Sequence, residues 1–204
     1  MEINIPLYVA FVWFAIVASF TPGPNCSLAL AIGIHHGVKP VWRHGLGVCL
    51  GLTLLMLLGL WGSLDLLKTY PLAARVLKFL GIAYLVYLGY AFIKAAGSSI
   101  DEGPSAAVPK PKVYQSAFMQ LSNPKAWLLI TGTLGAYQGM AKTFWLNAAL
   151  ILITLYFCIA GAVYLWAWMG QSIRAWLNHG RRMQVFNIAL GLSLILTALW
   201  LVGQ

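Results

Sequence analysis

Long apolar stretches, separated by short polar breaks, run the whole length of this chain. A helix that crosses the hydrocarbon core of a bilayer needs roughly 20 largely apolar residues. No charged residue occurs between Glu2 and Lys39, or between Lys142 and Arg174. We therefore predict an all-α membrane protein of about six transmembrane helices. The predicted segments are about 7–34, 44–64, 72–95, 113–138, 143–169 and 183–203.

A polar stretch at about 96–112 divides the six segments into two sets of three. It contains several glycines and prolines together with Asp101 and Glu102, a composition typical of a linker. We predict a single transmembrane domain over 1–204, with one repeat at about 1–95 and a second at about 113–204. Because three is an odd number, the second repeat enters the membrane from the opposite side. The pattern thus predicts two inverted three-helix repeats.

The first segment of each half is interrupted by a helix-breaking motif. The sequence Thr-Pro-Gly-Pro-Asn stands at 21–25, and Ser-Asn-Pro-Lys stands at 122–125. Interrupted helices in corresponding positions of two repeats are the best indication in a sequence of a transporter binding site. Irregular backbone at membrane depth is tolerated where it is buried in protein or lines a watery cavity. The motifs therefore predict a polar pocket within the bilayer; the alternative is that the prolines only kink their helices.

The expected chemistry of this pocket follows from the missing N–H groups of proline. Pro22 and Pro24 leave the carbonyls of Ala18 and Phe20 without helical donors, and Pro124 does the same to Gln120. A zwitterion fits such a site, with its ammonium group on free carbonyls and its carboxylate on free N–H groups. Asparagine amides add groups that both donate and accept hydrogen bonds. The predicted substrate-binding residues are Thr21, Pro22, Gly23, Pro24, Asn25, Asn123, Pro124 and Lys125.

Lys125 is the charged residue that the pattern places well inside an apolar segment. An ionisable residue within the membrane indicates a function by default. Lys125 would neutralise a substrate carboxylate or exchange a proton. The alternative is that its side chain extends to the interface and keeps its charge in water.

The composition limits the class of protein. Hydrophobic residues make up 61% of the chain and charged residues 8%. In soluble domains, about a quarter of the residues are charged. The net charge of +9 comes from basic residues spread over several loops rather than gathered on one face, so we predict no nucleic-acid partner. The three cysteines are isolated, so we predict no metal site, no redox relay and no cofactor. The histidines that flank the first loop, which we expect to be solvated, are His35, His36 and His44.

The basic residues also predict the orientation of the chain. Loops one, three and five hold eight of the 13, against four on the opposite side. Cytoplasmic loops carry an excess of lysine and arginine. We therefore expect these loops in the cytoplasm and both termini in the periplasm. The eight are Lys39, Arg43, Lys94, Lys110, Lys112, Arg174, Arg181 and Arg182.

Two glycine pairs stand at helical spacing, Gly47 with Gly51 and Gly135 with Gly139. Such pairs let helices approach closely. They pack helices within one chain or form the face of a homodimer, and the sequence leaves both open.

Three motifs carry a resemblance to a known family. Residues 21–25 form one, Leu80–Gly89 resembles a Gly-x-x-Tyr-Leu-x-x-Leu-Gly pattern, and Asn123-Pro124-Lys125 is the third. Together they resemble the motifs of the LysE/RhtB amino-acid exporters, over essentially the whole chain. The resemblance implies a bacterial inner-membrane exporter of amino acids or their derivatives, driven by the proton motive force. It implies a functional role for Pro22, Gly23, Pro24, Asn25, Asn123, Pro124 and Lys125.

Two features depart from the family pattern. The second segment, from Gly47 to Asp65, has no acidic residue in its interior, where some relatives carry aspartate. This leaves the proton carrier unassigned. The sixth segment matches only loosely.

The expected function is secondary active export of a small amino-acid-like substrate, with protons as the coupling ion and alternating access around a midplane site. Membrane lipid surrounds the helices. An enzyme or redox carrier would need a metal cluster, a cysteine pair or a catalytic carboxylate within the membrane, so we predict that the protein is not an enzyme. A passive channel and a non-transporting scaffold remain as alternatives.

Overall fold

Eight α-helices make up the part of the chain that the computed structural model describes, residues 3–60, 71–96, 110, 112–179 and 181–202. Within these ranges, β pairing is limited to one isolated bridge between Ile3 and Ala141. The all-α prediction is confirmed. The helices are α1 (Ile5–Phe20), α2 (Pro24–His36), α3 (Val41–Leu60), α4 (Pro71–Ala96), α5 (Val113–Leu121), α6 (Pro124–Ala136), α7 (Phe144–Leu177) and α8 (Arg182–Val202), with a 3₁₀ turn at Gln138–Met140.

Several of these helices are long and apolar enough to cross a membrane. Val41–Leu60, Phe144–Leu177 and Arg182–Leu199 each qualify alone. The helices α1 and α2 qualify together as one span bent by 54°, which gives three to four candidate spans among the described residues. The segment Leu85–Ala96 is a shorter apolar helix. The chain is thus built to cross a membrane more than once, while the count of six spans and the inverted repeats stay predictions.

The helix bounds agree with the predicted segments to within a few residues, except at the end of the fifth segment. There α7 continues to Leu177 and reaches 34 residues, or about 50 Å, well beyond the ≈ 30 Å of a hydrocarbon core. Hydropathy marks where the membrane ends, whereas the helix continues until its hydrogen bonding stops. Most of the predicted linker at 96–112, with Asp101 and Glu102, lies outside the described residues, as does the end of the second segment.

Each broken helix packs against a long helix from the other half of the chain. The helix α2 packs along α7, and α5 packs along α3, while α4 pairs with α8. Glycines permit these contacts. A Cβ atom added at Gly33 would lie 1.9 Å from the carbonyl oxygen of Ala167, and one added at Gly47 would lie 2.3 Å from that of Val113. The helix backbones therefore touch directly at both crossings.

The two predicted glycine pairs differ in their use. Gly47 and Gly51 both lie against α5, so this pair packs helices within the chain. An added Cβ at Gly135 would meet nothing within 4 Å, and one at Gly139 would meet only Leu7, at 3.8 Å. The second pair therefore does not bring helices of the described chain together. In the Leu80–Gly89 motif, Gly89 lies against the backbone of α8.

The outer surface of the bundle is apolar. Large hydrophobic side chains such as Trp13, Leu128 and Phe157 are 65%, 71% and 76% exposed. A water-facing protein seldom exposes so many large apolar groups, whereas contact with lipid requires them. The core lies inside, where α1, α2, α3 and α7 meet.

Candidate functional site between the two helix breaks

The first break separates α1, which ends at Phe20, from α2, which begins at Pro24. Thr21 and Gly23 are extended, with φ/ψ of −61°/134° and −179°/−178°. Pro22 and Pro24 have no N–H group to continue the helical ladder. Pro24 takes the first position of α2, where proline is favoured because no helical donor is needed there.

Side chains from distant parts of the chain bind the carbonyl groups at this first break. The indole N–H of Trp166 on α7 donates to the Phe20 carbonyl at 3.3 Å. The Lys125 ammonium on α6 donates to the Thr21 carbonyl at 2.6 Å. The Cys26 thiol, which is only five residues along the chain, donates to the same oxygen at 3.5 Å. The Trp166 and Lys125 donors to these carbonyl groups therefore come from the second half of the chain.

The second break is satisfied locally. Here α5 ends at Leu121 and α6 begins at Pro124. The Gln120 carbonyl lacks its helical donor, as predicted, but it accepts from the Asn123 N–H at 3.2 Å, so the expectation that it is free for a substrate is wrong. Asn123 also caps α6, because its Oδ1 accepts from the Lys125 N–H at 3.1 Å. A tight turn of the chain supplies the donors that the helix lost.

The two breaks meet across a cavity of about 40 Å³. Its polar wall includes Asn25, Gln120, Asn123 and Lys125, and apolar side chains such as Leu52 complete it. This volume holds about one to three water molecules, whereas pockets for small ligands usually measure about 300 Å³ or more. The site is closed in this conformation.

An amide pair joins the breaks beside the cavity. Asn25 Nδ2 donates to Gln120 Oε1 at 2.8 Å. Asn25 Oδ1 is buried and accepts no hydrogen bond from the described residues. A buried acceptor without a donor costs about 1–3 kcal/mol, so this oxygen favours the arrival of one.

Most of the predicted site residues come together. Thr21 contributes its carbonyl, Pro22 is exposed, and Pro124 begins α6 with a side chain outside the described set. A Cβ atom added at Gly23 would lie 3.3 Å from Lys125 Cδ, so glycine leaves room for the lysine. Lys125 is half-buried against the first break. The predicted residues that line the cavity are Gly23, Pro24, Asn25, Asn123 and Lys125.

Sequence reasoning missed Gln120 and misplaced the histidines. Gln120 is only 2% exposed. Its position indicated a role in the site, because it is a polar residue inside an apolar segment, one helical turn before Pro124. His44 is fully buried, and His35 is buried with Nε2 3.2 Å from Asn187 Oδ1. The expectation of solvated histidines is wrong for both, and His36 is half-buried.

The reason is that these histidines lie within helices rather than in the first loop. The helix α2 continues through His36, and α3 begins at Val41, three residues before His44. The rings of His35 and His44 therefore lie on helix faces that are turned toward the interior of the bundle, where they are buried. Among the described residues, no group of three or more His, Cys, Asp or Glu side chains could hold a metal ion.

Comparison with known proteins identifies the family. The family model described as LysE type translocator matches residues 16–204. This chain belongs to that family. The family that the three motifs indicated is confirmed, and the long apolar helices are those of a multi-pass membrane protein.

Individual relatives agree with this assignment. The Leucine efflux protein of Klebsiella pneumoniae subsp. pneumoniae is 35% identical over 130 residues, which cover 62% of this chain and 61% of that protein. The chain therefore spans less than two thirds of that relative. The Leucine efflux protein of Enterobacter sp. is 32% identical over 152 residues, 70% of each chain. An uncharacterized membrane protein of Pseudomonas aeruginosa is 35% identical over 184 residues, covering 86% of this chain and 83% of its own. No solved structure matches.

Proposed function

We propose that this protein is a secondary active exporter of amino acids or their derivatives across the bacterial inner membrane. The observation that carries the proposal is the hydrogen bond from Lys125 Nζ to the Thr21 carbonyl, which joins the two helix breaks beside a cavity with one polar wall. The relatives named leucine efflux proteins support an aliphatic amino acid as the substrate. The apolar cavity wall, which includes Leu52, Leu129 and Ile159, suits such a side chain.

Substrate binding would exchange partners at the Lys125–Thr21 contact. A carboxylate binds an ammonium group more strongly than a neutral carbonyl does, because both partners are charged. The substrate carboxylate would take Lys125, and the substrate ammonium would donate to the Thr21 carbonyl and to Asn25 Oδ1. One internal hydrogen bond is thus replaced by contacts to both breaks. Binding would change the relative position of the two broken helices.

The packing of the helices supports an arrangement of two inverted repeats. The first segment of each half packs against the second segment of the other half, through α2 with α7 and α5 with α3. The third segments, α4 and α8, pack against each other. A two-fold relation between the halves requires this exchange of partners. Rocking of one half against the other would then expose the site to each side in turn.

We propose that a second cavity forms part of the outward path from the closed site. It measures about 210 Å³, and its lining includes Met56, Leu134 and Ile151. The buried side chains Ile130 and Leu155 stand one helical turn from this cavity and one turn from the closed site. We propose this apolar layer as the outer gate, since it lies toward the end of the bundle away from the α2–α3 loop.

Export against a gradient needs a source of energy, and inward proton flow is the proposed one. Lys39 lies in the α2–α3 loop, Arg43 in the first turn of α3 and Arg181 in the α7–α8 connection. An excess of positive charge is typical of the cytoplasmic side, so we propose that this end of the bundle faces the cytoplasm. Both termini would then be periplasmic.

Inverted membrane vesicles test the function, because export appears in them as uptake of radiolabelled leucine. Respiring vesicles with the wild-type protein should accumulate leucine, and a protonophore should abolish accumulation. Lys125→Met should lower accumulation about tenfold to 100-fold, since hydrogen bonds to charged groups contribute about 1.5–3 kcal/mol. Lys39→Met, which removes an exposed lysine outside the site, is the matched control.

The outcomes separate the rival functions. Wild-type-like accumulation by Lys125→Met would contradict the proposed site. A channel would equilibrate leucine without accumulating it, and a scaffold would move none.

A further inference from the structure

A buried histidine lies directly behind the candidate site. His44, near the start of α3, is 0% exposed, and both of its ring nitrogens have partners. Nε2 is 3.1 Å from the carbonyl oxygen of Asn25, and Nδ1 is 2.9 Å from Ser116 Oγ. The ring therefore connects α3 both to the first helix break and to α5 in the second half of the chain.

These partners determine which nitrogen of His44 can titrate. The Asn25 carbonyl only accepts hydrogen bonds, so Nε2 carries a hydrogen in both protonation states. The Ser116 hydroxyl both donates and accepts. It can donate to a neutral Nδ1 and accept from a protonated one. His44 can therefore gain a proton with both hydrogen bonds kept, and only the direction of the Ser116 bond reverses.

Among the described residues, the charged and titratable groups around His44 carry no negative charge at neutral pH. Arg43 on its own helix and Lys112 at the start of α5 are exposed, and Lys125 on α6 donates to Thr21. All four acidic residues of the chain lie outside the described ranges. The other titratable groups on the helices packed against α3 are Cys26, His35, His36, Tyr114, Tyr156, Cys158, Tyr164 and Arg174.

A proton on His44 and a substrate in the cavity would oppose each other. The backbone carbonyl of Asn25 binds His44, while Asn25 Oδ1 is the buried acceptor proposed for the substrate ammonium. Protonation would thus place one positive charge beside another across a single residue, in surroundings that screen charge weakly. Exclusive binding of proton and substrate is what an antiporter requires.

We propose that His44 binds the coupling proton, an inference that rests on the proposed export function. The empty site takes a proton at Nδ1 from the periplasmic side and releases it to the cytoplasm when the substrate binds. The proton moves inward as the amino acid moves outward, and no covalent bond to carbon changes.

His44→Gln tests this assignment, because glutamine keeps a donor for Asn25 and an acceptor for Ser116 but cannot hold the proton. In proteoliposomes, leucine–leucine exchange needs no net proton movement and should stay within about twofold of wild type. Accumulation driven by a pH gradient should fall at least about tenfold, and its dependence on pH should flatten. A purely structural histidine would be rescued by glutamine in both assays.

Matched variants guard the interpretation. His179→Gln changes an exposed histidine and should behave as wild type. His35→Gln changes a second buried histidine, which lies 3.2 Å from Asn187 Oδ1 rather than against a helix break, and it should keep driven accumulation. Should His44→Gln fail to fold, Ser116→Ala replaces it, since loss of the reversible partner should shift the pH profile and leave exchange intact.

Three results would overturn the assignment. His44→Gln could accumulate leucine with the wild-type pH profile, or lose exchange and accumulation equally while folded. Ser116→Ala could leave the profile unchanged. Each differs from a failure of the proposed function, in which the wild-type protein itself would neither exchange nor accumulate leucine.

Discussion

The two helix breaks have similar sequences but satisfy their backbone groups in opposite ways. At the first break, the Phe20 and Thr21 carbonyls accept from Trp166 and Lys125, which are 146 and 104 residues away. At the second break, the indole of Trp127 donates to the Leu121 carbonyl, at 2.6 Å and only six residues away. The first break therefore depends on donors from other parts of the bundle, whereas the second break receives its donors from neighbouring residues.

This difference assigns separate tasks to the two breaks. Carbonyl groups whose donors come from elsewhere can change partners when helices move, so the first break suits the binding of an ammonium group. The second break holds its own turn rigid and presents the Lys125 side chain from the capped start of α6. It therefore suits the placement of a fixed positive charge for a carboxylate. The similar motifs thus differ in their hydrogen bonding, and under the proposed function they differ in their roles.

The largest expected effect comes from repairing the first break. Pro22→Ala with Pro24→Ala restores two N–H donors, which lets α1 continue into α2 and withdraws the Thr21 carbonyl from Lys125. Leucine accumulation in inverted vesicles should fall about 100-fold or more, because the substrate loses at least two hydrogen bonds. Pro6→Ala makes the same chemical change in the first turn of α1 and should have little effect. Normal accumulation in the double variant would show that the prolines serve only packing.

An intermediate effect is expected from the two indole donors. Trp166→Phe removes the distant donor at the first break and should lower accumulation about two- to tenfold, as a neutral hydrogen bond contributes about 0.5–1.5 kcal/mol. Trp127→Phe removes the local donor at the second break and should leave accumulation near wild type. Equal losses of leucine accumulation in the two variants, measured at equal protein levels, would contradict the proposed difference between the two breaks.

The smallest effect on transport is expected at the cap of α6. Asn123→Ala should lower stability by about 0.5–2 kcal/mol through loss of the cap, measured as a thermal shift in detergent. Accumulation should change by no more than about threefold. Asn123→Ser keeps a capping oxygen and should restore most of the stability. A transport defect that serine leaves uncorrected would mean that Asn123 binds the substrate directly.

Much of this arrangement follows from residues taken locally. An apolar run of some 20 residues must be helical in lipid, because each backbone N–H and C=O needs a partner that lipid does not supply. Proline lacks its N–H by covalent structure, so the gaps in helical hydrogen bonding at residues 22 and 124 do not depend on the fold. Residues 21–25 and 122–125 could therefore be identified as candidates directly.

The partners across the bundle could not be predicted in this way. Gln120 meets Asn25 from 95 residues away, and the burial of His44 depends on where α2 and α5 lie against α3. Periodicity reports which face of a helix is apolar, but it does not report which neighbour covers a polar group on that face.

The sequence by itself determined that the protein is helical, lies in a membrane and breaks two of its helices at proline motifs, since these properties depend on hydropathy and covalent chemistry. Only the tertiary structure decided that Lys125 reaches the Thr21 carbonyl and that His44 is buried behind Asn25. Hydrogen bonds act over about 3 Å, and the packing of distant helices sets which groups come that close.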